Sequence, residues 1–147
     1  MSYKFGTFSN NNLIGVHPNI VRVARIVEPV WNSQVIDGIR TREEQIKNLA
    51  RGASKTMNSR HLPQADGLSH AIDFMPYPYN WVLIEKGMNA LKKADYGMQI
   101  AEVYAFAGFV DGVAHALGIP FRSGYDWNTN RQFEDQSFHD LPHHELK

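Results

Sequence analysis

The sequence predicts an α+β fold in which a small antiparallel sheet packs against helices. Helical periodicities lie in the early and middle parts of the chain, and short strand-like runs stand apart before and after the long middle helices. At 147 residues, 43% of them apolar, the chain is long enough for one domain, spanning residues 1–147, with a single core. No repeat, low-complexity tract or linker divides it.

Pro18 to Val27 reads as the first helix, with Ile20, Val21, Val23, Ala24 and Val27 as its stripe and Pro18 suited to a first turn. Ser33 to Ile39 is β-branched enough for a short strand. Thr41 caps a helix over Arg42 to Arg51; Glu44 completes a capping box and Gly52 follows the end. Ala53 to Ser69 is a long loop rich in Ser, Asn, Pro and Gly, and long irregular segments inside a domain often carry function. Ser69 to Met75 reads as a strand ended by Pro76 and Pro78. Asn80 to Lys93 follows as a helix with Trp81, Ile84, Met88 and Leu91 on one face. Tyr96 to Leu117 is a longer apolar helix closed by Gly118 and Pro120. Phe121 to Tyr125 is a strand, Asp126 to His139 a polar loop, and Leu141 to Leu146 a terminal strand.

Composition excludes several classes. Lys plus Arg and Asp plus Glu number 15 each, so the chain lacks the basic surplus of a general nucleic-acid binder. With no cysteine it has neither disulfides nor thiolate sites, and any metal must be held by imidazole and carboxylate. The polar Met1 to Asn12 shows no signal peptide, so the protein is expected to be made in a cytoplasm. Ile100 to Ile119 approaches membrane-span length but contains Glu102, Asp111 and His115. Charges at mid-span cost about 2.5–3.5 kcal/mol each, so a buried or amphipathic helix fits better than an inserted one.

Three places concentrate the seven histidines with carboxylates: Ser59-Arg60-His61, Ser69-His70-Ala71-Ile72-Asp73, and His139-Asp140-Leu141-Pro142-His143-His144-Glu145. A catalytic zinc uses three protein ligands and keeps a position for water, so two histidines and one carboxylate are the natural set here. Strand alternation puts Asp73 on one face and His70 with Ile72 on the other; His143 and Glu145 share a face that His144 leaves. That favours Asp73 and His143 as ligands over His70 and His144. Asp140, three residues before His143, stands where a carboxylate reaches water at the metal. Taken singly, such residues are more often hydrogen-bonding partners than ligands. His17 and His139 receive no role, and His115 is expected to pair with Asp111 one turn earlier on its helix.

These residues resemble the zinc D-Ala-D-Ala carboxypeptidase and L-alanyl-D-glutamate endopeptidase family, which includes phage endolysins and vancomycin-resistance peptidases. Its pattern is Ser-x-His, then Ala-x-Asp, then Asp-x-x-His-x-Glu. Here it reads Ser59-Arg60-His61, Ala71-Ile72-Asp73 and Asp140-Leu141-Pro142-His143-His144-Glu145. The opening Ser2 to Gly6, Gly38-Ile39-Arg40-Thr41 and Gly124-Tyr125-Asp126-Trp127-Asn128 are similar to the phage endolysin branch, so the resemblance spans essentially the whole chain.

The resemblance implies the hedgehog and D-Ala-D-Ala-peptidase type of fold, with one Zn2+ held by His61, Asp73 and His143. It implies Asp140 as the acid/base and Arg40 as the group that binds substrate carboxylate or steadies the oxyanion. Ser59 is implied as a substrate contact and Glu145 as a residue orienting His143. The implied activity is cleavage of the L-alanyl-D-glutamate bond of peptidoglycan stem peptides in phage-driven lysis, with D,D-carboxypeptidase as the alternative. A hedgehog-type binding domain with a non-hydrolytic zinc, or a structural protein with incidental histidines, are the non-enzyme alternatives. A monomer without a wall-binding module, reaching the wall after inner-membrane permeabilisation, is expected.

Two departures stand out. Eleven residues separate His61 from Asp73, more than in many members, and His70 lies among them. A rival register would use His70, but His61 keeps the Ser-x-His context. His144 replaces an aromatic or apolar residue and is expected to change packing or substrate contact. Asp126, Asn128 and Asn130 are also spaced like the first ligands of a calcium loop. However, Arg131 and Ser137 stand where such a loop has Gly and Glu, so a polar turn is preferred; Glu134 and Asp135 are the residues that would compensate.

Overall fold

In the computed structural model, residues 1–82 and 97–147 are described. The elements run α1 (Thr7–Asn12), α2 (Pro18–Val27), β1 (Ser33–Asp37), α3 (Arg42–Ala50), β2 (Ala71–Pro76), α4 (Gly97–Ala116), β3 (Phe121–Gly124) and β4 (Asp140–Leu146). The four strands form one antiparallel sheet in the order β1-β2-β4-β3. The α+β expectation is therefore met. Of the expected Asn80 to Lys93 helix, Asn80 is not helical, Trp81 and Val82 are, and residues 83–93 lie outside the described residues, as does Tyr96.

Amphipathic patterning sets the core face of α2, whereas α4 is apolar along most of its length. Ile20, Val23, Ala24 and Val27 of α2 and Phe106, Val110 and Ala114 of α4 are buried against Val35, Ile72 and Phe74 of the sheet. Phe74 anchors this layer by edge-to-face contacts with Phe106 at 4.8 Å and Phe5 at 5.8 Å. The two helices thus cover one face of the sheet and leave Asp73 and His143 on the other. The capping box of α3 is present: Thr41 Oγ1 accepts from the Glu44 amide at 3.2 Å, and Glu44 accepts from the Thr41 amide at 2.7 Å.

Helix α1 was not legible in the sequence, because Thr-Phe-Ser-Asn-Asn-Asn carries no apolar period. Tertiary hydrogen bonds hold it instead. Asn12 Nδ2 donates to the carbonyls of Val35 and Ile36, both at 2.9 Å, and buried Ser9 Oγ accepts from the Val35 amide at 3.2 Å. This docking also shortens β1, expected to reach Ile39. The ladder is irregular between Val35 and Asp37, and Gly38 passes so close to α1 that a Cβ there would lie 1.9 Å from Asn12 O.

Pro142 sits inside β4, an interior strand, where a missing N–H is normally excluded. The register explains it. Pairing with β2 runs from Ala71↔Glu145 to Asp73↔His143, while pairing with β3 jumps from Ser123↔His144 to Gly124↔Asp140. Pro142 falls in the irregular stretch, and at the end of that stretch only glycine fits opposite Asp140: a Cβ on Gly124 would lie 2.1 Å from Asp140 O. The bend lets Asp140 begin β4.

The expected Asp111–His115 pair is not formed. Asp111 spends its oxygens across the core, accepting from Ser123 Oγ at 2.5 Å and from Tyr125 OH at 2.7 Å. Ser123 of β3 and Tyr125 just beyond it displace the pairing with the next turn of the helix.

Candidate metal centre

Three segments meet at the open face of the β2–β4 pair. Register places Asp73 beside His143, and the long loop brings His61 over them. The loop is fastened by backbone bonds: Arg40 N–H to His61 O at 2.9 Å and His70 N–H to Arg60 O at 2.9 Å. Ser59 Oγ accepts from the His61 amide at 3.2 Å and so shapes the turn beneath the imidazole.

His61 is buried and lies with Nδ1 2.7 Å from the Gly38 carbonyl, which fixes Nδ1 as the protonated nitrogen and turns Nε2 towards the cluster. Glu145 Oε2 lies 2.8 Å from His143 Nε2, so Nδ1 of that ring faces inward. Nε2 of His61 is 3.2 Å from Asp73 Oδ1 and 3.2 Å from His143 Nδ1, and the third edge, His143 Nδ1 to Asp73 Oδ1, is 3.5 Å. Ligands about 2.0–2.1 Å from a tetrahedral ion are separated by roughly 3.3 Å. The triangle therefore has the dimensions of three corners of such a polyhedron, with donors suited to a borderline divalent metal.

Charged neighbours hold this arrangement. Arg40 Nη2 donates to Asp73 Oδ2 at 3.1 Å, its Nε donates to Asp37 Oδ2 at 2.6 Å, and its Nη1 donates to Gln45 Oε1 at 3.2 Å. Gln45 is fully buried and ties this to the loop through Ser54 Oγ and Thr56 O, at 2.7 and 2.6 Å. Opposite, Arg122 grips Glu145 Oε1 with Nε at 2.6 Å and lies 5.4 Å from the Trp127 ring centre. Trp127 forms a wall 5.3 Å from the His143 ring.

Burial would raise the Asp73 carboxyl, yet His61 and His143 hold it well below the usual range. Burial also works against a charged His143, but the hydrogen bonds to Asp73 and Glu145 outweigh it and raise the imidazole to about 10. Asp140 behaves differently: burial, reinforced by the negative charge of Asp73, raises it to about 6. A carboxyl so tuned beside a metal-type triangle suits proton transfer near neutral pH.

The structure brings His61, Asp73, His143, Asp140 and Arg40 together and sets the other histidines elsewhere. His70 points to Asp66, Nε2 to Oδ2 at 2.8 Å, and His144 is buried on the core face. Asp126, Asn128 and Asn130 share one loop. Asp126 accepts the Asn130 and Arg131 amides, both at 3.1 Å, and Asp135 Oδ2 accepts from Asn128 and Asn130 at 3.0 and 2.7 Å. Sequence reasoning gave no role to Asp37, Gln45, Arg122 or the Gly38 carbonyl. Only Arg122 left a trace, as the strand residue whose alternation matches Glu145 once the register is known.

Comparison with known proteins agrees with this geometry. A curated L-alanyl-D-glutamate peptidase of Escherichia phage T5 is 30% identical over 144 residues, covering 92% of this chain and 90% of the relative. The crystal structure of the Serratia marcescens L-Ala D-Glu endopeptidase ChiX superposes with a TM-score of 0.63 at 28% identity, over 97% of this chain and 89% of that one. The model of the phage L-alanyl-D-glutamate peptidase family matches residues 1–147, and the chain belongs to that family.

Proposed function

We propose that the protein is a zinc-dependent endopeptidase that cuts the L-alanyl-D-glutamate bond of peptidoglycan stem peptides during phage lysis. The observation that carries the zinc assignment is the triangle of His61 Nε2, Asp73 Oδ1 and His143 Nδ1, with edges of 3.2, 3.2 and 3.5 Å. Bound there, Zn2+ supplies Lewis-acid polarisation and lowers the pKa of water to about 7. The bond specificity follows the L-alanyl-D-glutamate peptidase activity of the relatives.

The chain's own residues divide the remaining work. Asp140 accepts a proton from the attacking water and returns it to the leaving amine of D-glutamate. Arg40 keeps Asp73 ionised and aimed, and the N–H groups not spent on Asp37, Gln45 and Asp73 are free for a substrate carboxylate or the developing oxyanion. Ser59 supports His61 from below and is carried as a substrate contact on the family pattern alone. Trp127 gives the cleft an apolar wall.

The site of action follows from the substrate: the cell wall, reached once the inner membrane is breached. No helix among the described residues is long and apolar enough to cross a membrane. The protein acts as a monomer in this reading. At Asp126, Asn128 and Asn130 the polar turn stays the preferred reading over a calcium site, because Asp126 and Asp135 accept from amides of their own loop.

Digestion of purified peptidoglycan, with labelling of new amino termini, tests the assignment. D-Glutamate termini that vanish with a chelator and return with Zn2+ are expected. Release of free D-alanine would establish the D,D-carboxypeptidase instead.

A further inference from the structure

We propose that His17, Asp66 and His70 form a second metal site, on the surface, for a borderline divalent ion such as Zn2+. Each residue offers one ligand atom, and these atoms all lie within 4.8 Å of one another. His70 Nε2 and Asp66 Oδ2 are 2.8 Å apart, and the rings of His17 and His70 meet edge-to-face at 4.9 Å.

Backbone structure holds the three in place. A parallel bridge joins Val16 to Ser69, with His17 N–H donating to Ser69 O and Ser69 N–H to Gly15 O, both at 2.9 Å. The residues beside that bridge, His17 and His70, are therefore brought side by side. His70 is fixed further by its amide on Arg60 O and its carbonyl on Leu146 N–H, each at 2.9 Å. Asp66 sits in a tight turn closed by Gln64 N–H to Leu68 O at 2.9 Å. Its Oδ1 accepts the Leu68 amide at 3.0 Å, which leaves Oδ2 for His70.

Two imidazoles and one carboxylate select Zn2+, Ni2+ or Cu2+ over Ca2+ and Mg2+, which prefer oxygen ligands. Asp66 is exposed and both histidines are half-buried, so water can complete the coordination. Asp66 and His70 belong to the lengthened step between His61 and Asp73, and His17 is the N-cap of α2. An ion here would staple that added segment to the start of α2, next to β2. His17 Nδ1 caps α2 by accepting the Asn19 amide at 3.1 Å. Ligation through Nε2 moves the ring proton to Nδ1 and surrenders that cap, so this site binds more weakly than the buried triangle.

The test uses the full chain without a tag, stripped by chelator and titrated with Zn2+ alone. Native mass spectrometry counts the ions while imidazole NMR follows the histidines. We expect two ions on the wild-type protein, and the His17 and His70 signals moving together with the weaker one. Asp66→Asn and His70→Gln are each expected to hold one ion and to hydrolyse peptidoglycan at the wild-type rate. With Zn2+ ten times above the weaker dissociation constant, opening of residues 62–69 measured by amide exchange should fall about tenfold. The site is refuted if the His17 and His70 signals stay still at millimolar Zn2+, or if both variants take up as many ions as the wild type. If the buried triangle bound nothing, His17 and His70 would still respond to the single ion taken up, so the two assignments fail separately.

Discussion

Two histidines adjacent in β4 lie on opposite faces of the sheet, and the faces give them opposite chemistry. His143 stands beside Asp73 with Glu145 behind it, and these carboxylates raise it to about 10 against the effect of burial. His144 pairs with Ile72 across the strand, packs by Phe74 and Phe121, and meets Ser123 Oγ at 2.7 Å. Burial pushes it down to about 4, so it is a neutral core residue. Imidazole alone decides nothing; the period of two along the strand chooses which ring meets carboxylates and which meets phenyl groups.

Replacing the two residues should break the protein in different ways. His143→Ala is expected to abolish both stoichiometric zinc and peptidoglycan hydrolysis while leaving the circular dichroism spectrum intact. An active His143→Ala enzyme would remove the distinction between the faces. Next in size is Asp140→Asn, expected to slow hydrolysis by about 10²–10⁴-fold with the ion count unchanged. Because Asp140 is raised from 3.8 to about 6, ionising it costs folded-state stability as pH rises from 3.8, and the full cost is present above about 6. The same variant should therefore stabilise metal-free protein at pH 7, by about 1–3 kcal/mol in denaturant titrations.

On the core face the readout is stability. His144 has a folded value of about 4 against 6.5 for the free side chain. Its contribution is present above pH 6.5 and is lost as pH falls towards 4, on the order of 3 kcal/mol. Urea midpoints of wild type and His144→Gln should converge across that window, with zinc stoichiometry equal in both. Parallel curves would mean that His144 does not titrate there. The smallest effect belongs to Glu145→Gln, which leaves the ligands in place but frees the His143 ring. Zinc affinity by competition with a chelator should weaken about 10–100-fold.

Much of this was legible in the sequence because it depends on short periods. Alternation alone separated Asp73 and His143 from Ile72 and His144, and the capping box of α3 could be read from Thr41 and Glu44. What could not be read depends on distant segments. Helix α1 exists through Asn12 and Ser9 bonding to β1, and Arg122 acquires its partner Glu145 only from the β3–β4 register. Pro142 would argue against an interior strand until the break in pairing around it is known. The Asp111–His115 expectation failed for the same reason: a local pair lost to Ser123 and Tyr125 across the core.

The central claim is that the open face of β2 and β4 holds the zinc ion. Anomalous diffraction at the zinc edge, on crystals of untagged protein grown with one equivalent of Zn2+, tests it most directly. The predicted result is a peak about 2.0–2.2 Å from His61 Nε2, Asp73 Oδ1 and His143 Nδ1. A strongest peak elsewhere, with none at this triangle, would contradict it.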